Sequence, residues 1–264
     1  MKVLLLILML SCYVLGQSHS HLDIVNPKKG HFRWSSALSI IQSDLDEIDL
    51  TQLLSRHGLS FGIKSNLTVK LNTLFSSSWT NYPISSGYKT EYHSRFHLLT
   101  LGLSKNISTA EKDYGVLFSI KTPLLNRQFF YLDDSLTLEE EYFNYIQYGV
   151  SFYKLSPPLV PTIRFSQKIF NDTNDYQPGN ELNLNFNINF SVTDDWTLLW
   201  GAAFTNKRKS VLFNQINEPE QNNIFFNYGI LYDISQKLTF KLGCSFSFSH
   251  EDTSILSFRS TYRL

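Results

Sequence analysis

The chain has 264 residues, with 23 Lys and Arg against 23 Asp and Glu, so its formal net charge is zero. That balance argues against a nucleic-acid binder, which would carry a basic excess. Charged residues are only 17% and aromatics 15%, which excludes a disordered chain, and past residue 16 no apolar run approaches the ~20 residues of a membrane helix.

Residues 1–16, MKVLLLILMLSCYVLG, follow the pattern of a secretory signal peptide. Lys2 supplies the charged start, residues 3–10 the apolar stretch, and Gly16 a small residue before an expected cut at Gln17. Ser11-Cys12 raises a lipoprotein alternative, which Met9 and Leu10 fit poorly. Cys244 would then be the one remaining cysteine, so no internal disulfide is expected. Residues 17–30 read as a periplasmic N-terminal segment and 31–264 as one domain.

From there the dominant signal is alternation with period two, the signature of strands with one apolar face. It runs through 32–43 (Phe32, Trp34, Leu38, Ile40 in phase), 59–64 and 67–79 (Val69, Leu71, Phe75, Trp79). Weaker examples follow at 92–104, 114–121, 142–154 and 159–169. The clearest is 181–192, ELNLNFNINFSV, where Leu182, Leu184, Phe186, Ile188 and Phe190 oppose a row of asparagines. Segments 196–206, 224–234, 238–250 and 254–264 complete a set of about 12 strands, many near the ~9–11 residues that cross a bilayer at a tilt.

The connections divide into two kinds. Tight turns are predicted at 64–66, 193–195 and 235–237, each keeping the same face apolar on both arms. Longer polar connections fall between them, at 44–58, 80–91, 122–141, 170–180 and 207–223. In the first of these, Asp44 and Glu47 resemble a capping box, and Leu45, Ile48, Leu53 and Leu54 are compatible with a short helix that ends at Gly58. Such a helix would be either a lid on the lumen or an ordered surface loop.

These features predict an all-β, transmembrane antiparallel barrel with short periplasmic turns and long extracellular loops, in the bacterial outer membrane. A soluble β-sandwich is the alternative. The persistent apolar face, and aromatics near strand ends such as Trp34, Trp79, Tyr142, Trp196 and Tyr262, favour the membrane. Phe258, Tyr262 and Leu264 lie in phase on the last strand, which is placed to close the barrel against the first and to carry its insertion signal.

Pro178-Gly179-Asn180-Glu181-Leu182, the turn Thr193-Asp194-Asp195-Trp196 and the ending Ser257-Phe258-Arg259-Ser260-Thr261-Tyr262-Arg263-Leu264 resemble the outer-membrane proteins of the "meta-pathway of phenol degradation" family. The resemblance covers about residues 175–264; Leu264 stands where that family often ends on an aromatic. It implies passage of small organic solutes and carries over no catalytic residue.

Enzyme chemistry finds little support. A barrel phospholipase would need a His-x-Ser pair on one strand. Two positions beyond each histidine stand His21, Asp23, Arg33, Leu59, Arg95, Leu99 and Asp252, none of them serine. Asp133-Asp134 and Glu139, Glu140 and Glu141 form an acidic loop better suited to solvation, or to cations that bridge lipopolysaccharide, than to proteolysis. His93 and His97, four apart on a strand, would be ~13 Å from one another and so do not suit one metal.

The polar face is more informative. Lys70, Lys121, Arg164, Lys168, Lys241, Arg259 and Arg263 are expected to point into the lumen, with Glu181 and Asp233 as acidic partners. A basic lumen concentrates anions in a narrow low-dielectric channel. The expected function is a pore or facilitated channel for small organic solutes, anionic or aromatic in kind, with no cofactor or metal. Its partners would be outer-membrane lipid and lipopolysaccharide, the barrel-assembly machinery and the solute. An outer-membrane lipid or peptide hydrolase and a structural or adhesin barrel are the alternatives.

Overall fold

A computed structural model describes residues 27–45, 48–84, 87–108, 113–132, 137–142, 144–171, 176–212, 215–247 and 252–263. The expected signal peptide and Leu264 lie outside the described residues. The strands are β1 (Phe32–Leu45), β2 (Ile48–Lys64), β3 (Leu67–Ile84), β4 (Gly87–Ser108), β5 (Tyr114–Leu132), β6 (Thr137–Tyr142), β7 (Tyr145–Lys154), β8 (Leu159–Phe170), β9 (Tyr176–Gln177), β10 (Glu181–Ser191), β11 (Trp196–Lys207), β12 (Ser210–Leu212), β13 (Gln215–Glu218), β14 (Gln221–Asp233), β15 (Leu238–Ser247) and β16 (Asp252–Arg263).

All but β6, β9, β12 and β13 form the wall of a barrel of 12 antiparallel strands. The first strand closes on the last, β1 on β16, over Arg33↔Arg263 to Asp44↔Asp252. No sheet edge is left for lipid to desolvate, as a membrane-spanning sheet requires.

Alternation decides which way each side chain points. Directly paired residues of antiparallel strands share a face. The row Trp200↔Tyr228, Tyr228↔Cys244 and Cys244↔Leu256 runs along the outside. Large apolar side chains on this face stay uncovered even in mid-sheet: Leu242 and Leu256 are both 52% exposed. An apolar belt of this extent around a closed wall is a lipid-facing surface. The asparagines of β10 face inward, opposite Thr205, Ala203, Gly201 and Leu199 of β11.

The turns at 193–195 and 235–237 form as the sequence predicts; that expected at 64–66 is tighter, because Lys64 pairs with Leu67 and the register shifts past Ile63. The Val192 N–H donates to the Trp196 carbonyl (2.9 Å) and the Ile234 N–H to that of Leu238 (3.0 Å). Thr193 Oγ1 accepts from the backbone of Asp195 and Trp196, and Ser235 Oγ does the same for Lys237 and Leu238.

The other end departs from expectation. The described residues of 44–58 are strand, not loop or helix: β1 reaches Leu45, which pairs with Ile48, and β2 continues through Gly58. Leu53 pairs with outward Ile40, while Leu54 pairs with inward Ser39. Apolar residues on both faces mask the period of two and imitate helical spacing. Likewise β3 and β4 meet at Ile84↔Gly87, and β5 extends into a hairpin with β6. Much of the expected loop length is therefore wall. β3 and β4 have 18 and 22 residues against 10 in β7 and β15. The connections of β8 to β10 and of β11 to β14 contribute a small sheet in the order β13-β12-β9.

Candidate functional site

The register assigns every expected lumen residue to the inner face. Lys70 pairs with Gly102, which pairs with Lys121, which pairs with Gln147. Lys168 pairs with Glu181 and Arg164 with Asn185. Lys241 pairs with Arg259, and Arg263 follows on the same face of β16. Three more basic residues face inward: Arg33, Arg56 and Lys207. Arg33 was legible from its apolar neighbours Phe32 and Trp34. Arg56 was hidden by the misread stretch 44–58, and Lys207 lies one residue past the strand end expected from sequence. Together these named residues give the inner face ten basic side chains, beside the acidic Glu181 and Asp233.

The acidic groups are engaged. Lys168 Nζ lies 3.1 Å from Glu181 Oε1, with its charge also over the rings of Phe170 (4.2 Å) and Tyr145 (4.6 Å). Arg263 Nη2 is 4.0 Å from Asp233 Oδ1 and 2.8 Å from Thr239 Oγ1, whose hydroxyl also donates to Asp233. No carboxylate of the described residues pairs with Arg56, Lys121, Arg164 or Arg259.

Three cavities of 380, 320 and 230 Å³ occupy the lumen, and Arg259 lines all of them. Arg164 is shared by the first two and Arg56 by the second and third. The largest also runs along Asn187, Asn189 and Asn227.

Towards the short-turn end the lumen is floored by packed side chains. Thr68, Ser104, Asn106, Tyr153, Val160, Thr197, Leu231, Thr239 and Thr261 are buried there. The Tyr153 hydroxyl donates to Asn106 Oδ1 (2.8 Å). Of the expected N-terminal segment, residues 17–26 lie outside the described residues and 27–30 join this floor. The Gly30 N–H donates to the Gly62 carbonyl (2.8 Å), the Gly62 N–H to the His31 carbonyl (3.1 Å), and a Cβ at Gly62 would strike the backbone of Pro27 and Lys28.

Reading forward from each histidine missed one arrangement. His57 faces lipid with Nδ1 2.9 Å from Ser36 Oγ and Nε2 2.9 Å from Ser55 Oγ. Trp34 and Phe75 flank its ring. The partner serine stands two positions before the histidine, not after it. Between His93 and His97 the register of β3 with β4 skips from Phe96 to Leu98, which breaks the regular four-residue spacing. Glu139, Glu140 and Glu141 lie on β6, while Asp133 and Asp134 fall outside the described residues.

A closed 12-stranded wall, an apolar belt and a charged, cavity-bearing interior define an outer-membrane β-barrel. Residues 158–264 match the family model described as "Putative MetA-pathway of phenol degradation", so the similarity begins somewhat upstream of the segment read from sequence. Among solved structures the chain is similar to the COG4313 outer membrane channel from Pseudomonas putida F1. The TM-score is 0.72 at 11% identity, covering 92% of this chain and 98% of that one. It is also similar to the translocator domain of the autotransporter NalP from Neisseria meningitidis (TM-score 0.55, 9% identity, 93% and 94% covered). A third is the transport unit of the autotransporter AIDA-I from Escherichia coli (0.54, 11%, 89% and 90%). At these identities the likeness is one of fold. No curated protein matches the chain.

Proposed function

We propose that this protein is an outer-membrane channel that passes small organic solutes by facilitated diffusion, with a preference for anions. The observation that carries the reading is the inner-face charge: four cations without a carboxylate partner among the described residues, Arg56, Lys121, Arg164 and Arg259, at cavities that converge on Arg259. Low-dielectric walls focus such a field and raise the local anion concentration. The matched family description and the barrel architecture support a solute of the small organic kind.

The hydrogen-bonded serines around His57 do not make this a hydrolase. Their strands are fully paired there, over Ser36↔His57 and Leu38↔Ser55, so backbone N–H groups that could stabilise an oxyanion are spent in the ladder. The serines instead satisfy both ring nitrogens of a lipid-facing histidine.

Reversal potential across a planar bilayer under a salt gradient tests the channel reading. Wild-type protein is expected to conduct with an anion preference that falls in Arg56→Gln and Arg259→Gln. A cation preference in the wild type, or variants indistinguishable from it, would overturn the reading.

A further inference from the structure

The wall formed by β16, β1, β2 and β3 carries an arrangement that charge alone does not explain. In register, Arg259 pairs with Ala37 and Ala37 with Arg56, so two arginines flank one small residue. They stand two strand spacings apart, or roughly 10 Å between backbones, within converging reach of two long guanidinium side chains. Towards the long-loop end the inner face passes Ser39 and Ser257, which pair with each other, and then turns aliphatic. Ile41 pairs with Ile255, and Leu54 follows Arg56 on β2, while Leu74 is the partner of Arg56 on β3. These four aliphatic residues, both arginines and Ala37 line the 230 Å³ cavity, together with Ser39, Ser257 and a third cation, Lys241. The largest cavity, by contrast, sets Leu117, Leu199 and Leu231 among asparagines and hydroxyls rather than in one facet.

An aliphatic facet facing a water-filled lumen, set against two cations that no carboxylate of the described residues neutralises, matches one class of ligand. We propose that this cavity is a binding site for small amphipathic organic carboxylates. The carboxylate is held over Ala37 by Arg56 and Arg259, and the ring or short chain lies on Ile41, Ile255 and Leu54. Guanidinium groups take carboxylate oxygens through paired N–H donors, and the aliphatic facet gains from every apolar atom it covers. At 230 Å³ the cavity falls below the range of about 300–1,000 Å³ common for drug-sized ligands, so a single-ring acid suits it. Solute entering from the long-loop side meets the facet first and the arginines next, with the lower cavity beyond them. The inference rests on the channel reading and adds what the channel selects among anions.

Isothermal titration of the refolded protein in detergent, with benzoate and acetate as probes and empty micelles as blank, tests it without requiring conduction. Heat-modifiable gel mobility reports folding of every sample. Benzoate is expected to bind saturably at least tenfold tighter than acetate. Ile41→Ser combined with Ile255→Ser is expected to abolish that ratio. Arg56→Gln is expected to weaken both probes. No saturable benzoate heat from folded wild-type protein, equal affinity for both probes, or discrimination that survives the serine variant overturns the proposal. Benzoate binding in a protein that shows no anion-selective current would instead sink the channel reading and leave the site standing.

Discussion

The ring of Tyr153 lies across Gly115 on its paired strand, in the space a side chain at 115 would fill. Its hydroxyl reaches on to Asn106 of β4, so one residue of β7 ties three strands together at the floor of the lumen. Gly115→Ala should displace the ring and cost the hydrogen bond, and overpacking of this kind costs about 1–3 kcal/mol. Tyr153→Ala should cost more, about 3–5 kcal/mol as for a large buried ring, and should remove a packed obstacle from the floor. Urea midpoints in detergent are expected to fall in the order wild type, Gly115→Ala, Tyr153→Ala. Conductance in planar bilayers is expected to rise in Tyr153→Ala. A tyrosine variant with wild-type conductance would show that Tyr153 does not restrict the path.

The ion pair of Lys168 with Glu181 makes the lumen charge adjustable in both directions. Glu181→Gln removes an inward negative charge and releases Lys168, so anion preference should rise. Lys168→Gln removes the cation from over Tyr145 and Phe170 and leaves Glu181 without it, so anion preference should fall. Both side chains are partly solvated, with 18% and 26% exposure, so stability should change by less than about 1 kcal/mol in either variant. Opposite shifts in reversal potential at matched stability are the expected result; shifts of the same sign would mean the pair does not face the ion path.

The residues that were legible and those that were not differ in a physical way. In β10 every apolar residue points to lipid and every asparagine inward, so alternation gave strand, face and register together. The same phase placed Lys121, Arg164, Lys241 and Arg259 on the inner face from sequence. In β2 the inner face holds Leu54 beside Arg56 and the outer face holds Ser55 and His57, so alternation was lost and the segment resembled a helix. That exception is where the aliphatic facet of the lumen sits. Residues that break an outer-membrane pattern by being apolar on the wrong side are the ones with a task inside. The floor was illegible for another reason: that Tyr153 packs on Gly115, or that Pro27–Gly30 cross Gly62, depends on contacts between distant residues that no local period records.

His57 gives a prediction on the lipid side. Removing either serine leaves one ring nitrogen without its partner next to hydrocarbon, where polar side-chain contacts are worth about 0.5–2 kcal/mol. Ser36→Ala and Ser55→Ala should each lower stability by that amount, and together they should cost less than the sum if His57 turns to water at the belt's edge. His57→Phe removes the need for both partners and should restore the urea midpoint of the double serine variant to near wild type. Failure of that rescue would mean that the serines support the β1–β2 seam by themselves rather than through His57.

Phe258 and Arg259 are neighbours on the closing strand and should answer to opposite measurements. Phe258 faces lipid opposite Leu38 and stacks on Phe240 with ring centroids 5.4 Å apart. Phe258→Arg places a charge in the belt, which costs about 2–4 kcal/mol near the bilayer midplane, and it loses the ring contact as well. It should lower the yield of heat-modifiable, folded barrel. Arg259 faces water, so Arg259→Gln gives up no apolar burial and should refold as wild type while its reversal potential moves toward zero. Measuring folded yield and ion preference on the two variants side by side tests the register of the β1–β16 seam itself. A one-residue slip there would exchange the two outcomes, because it turns every side chain of the strand to the other face.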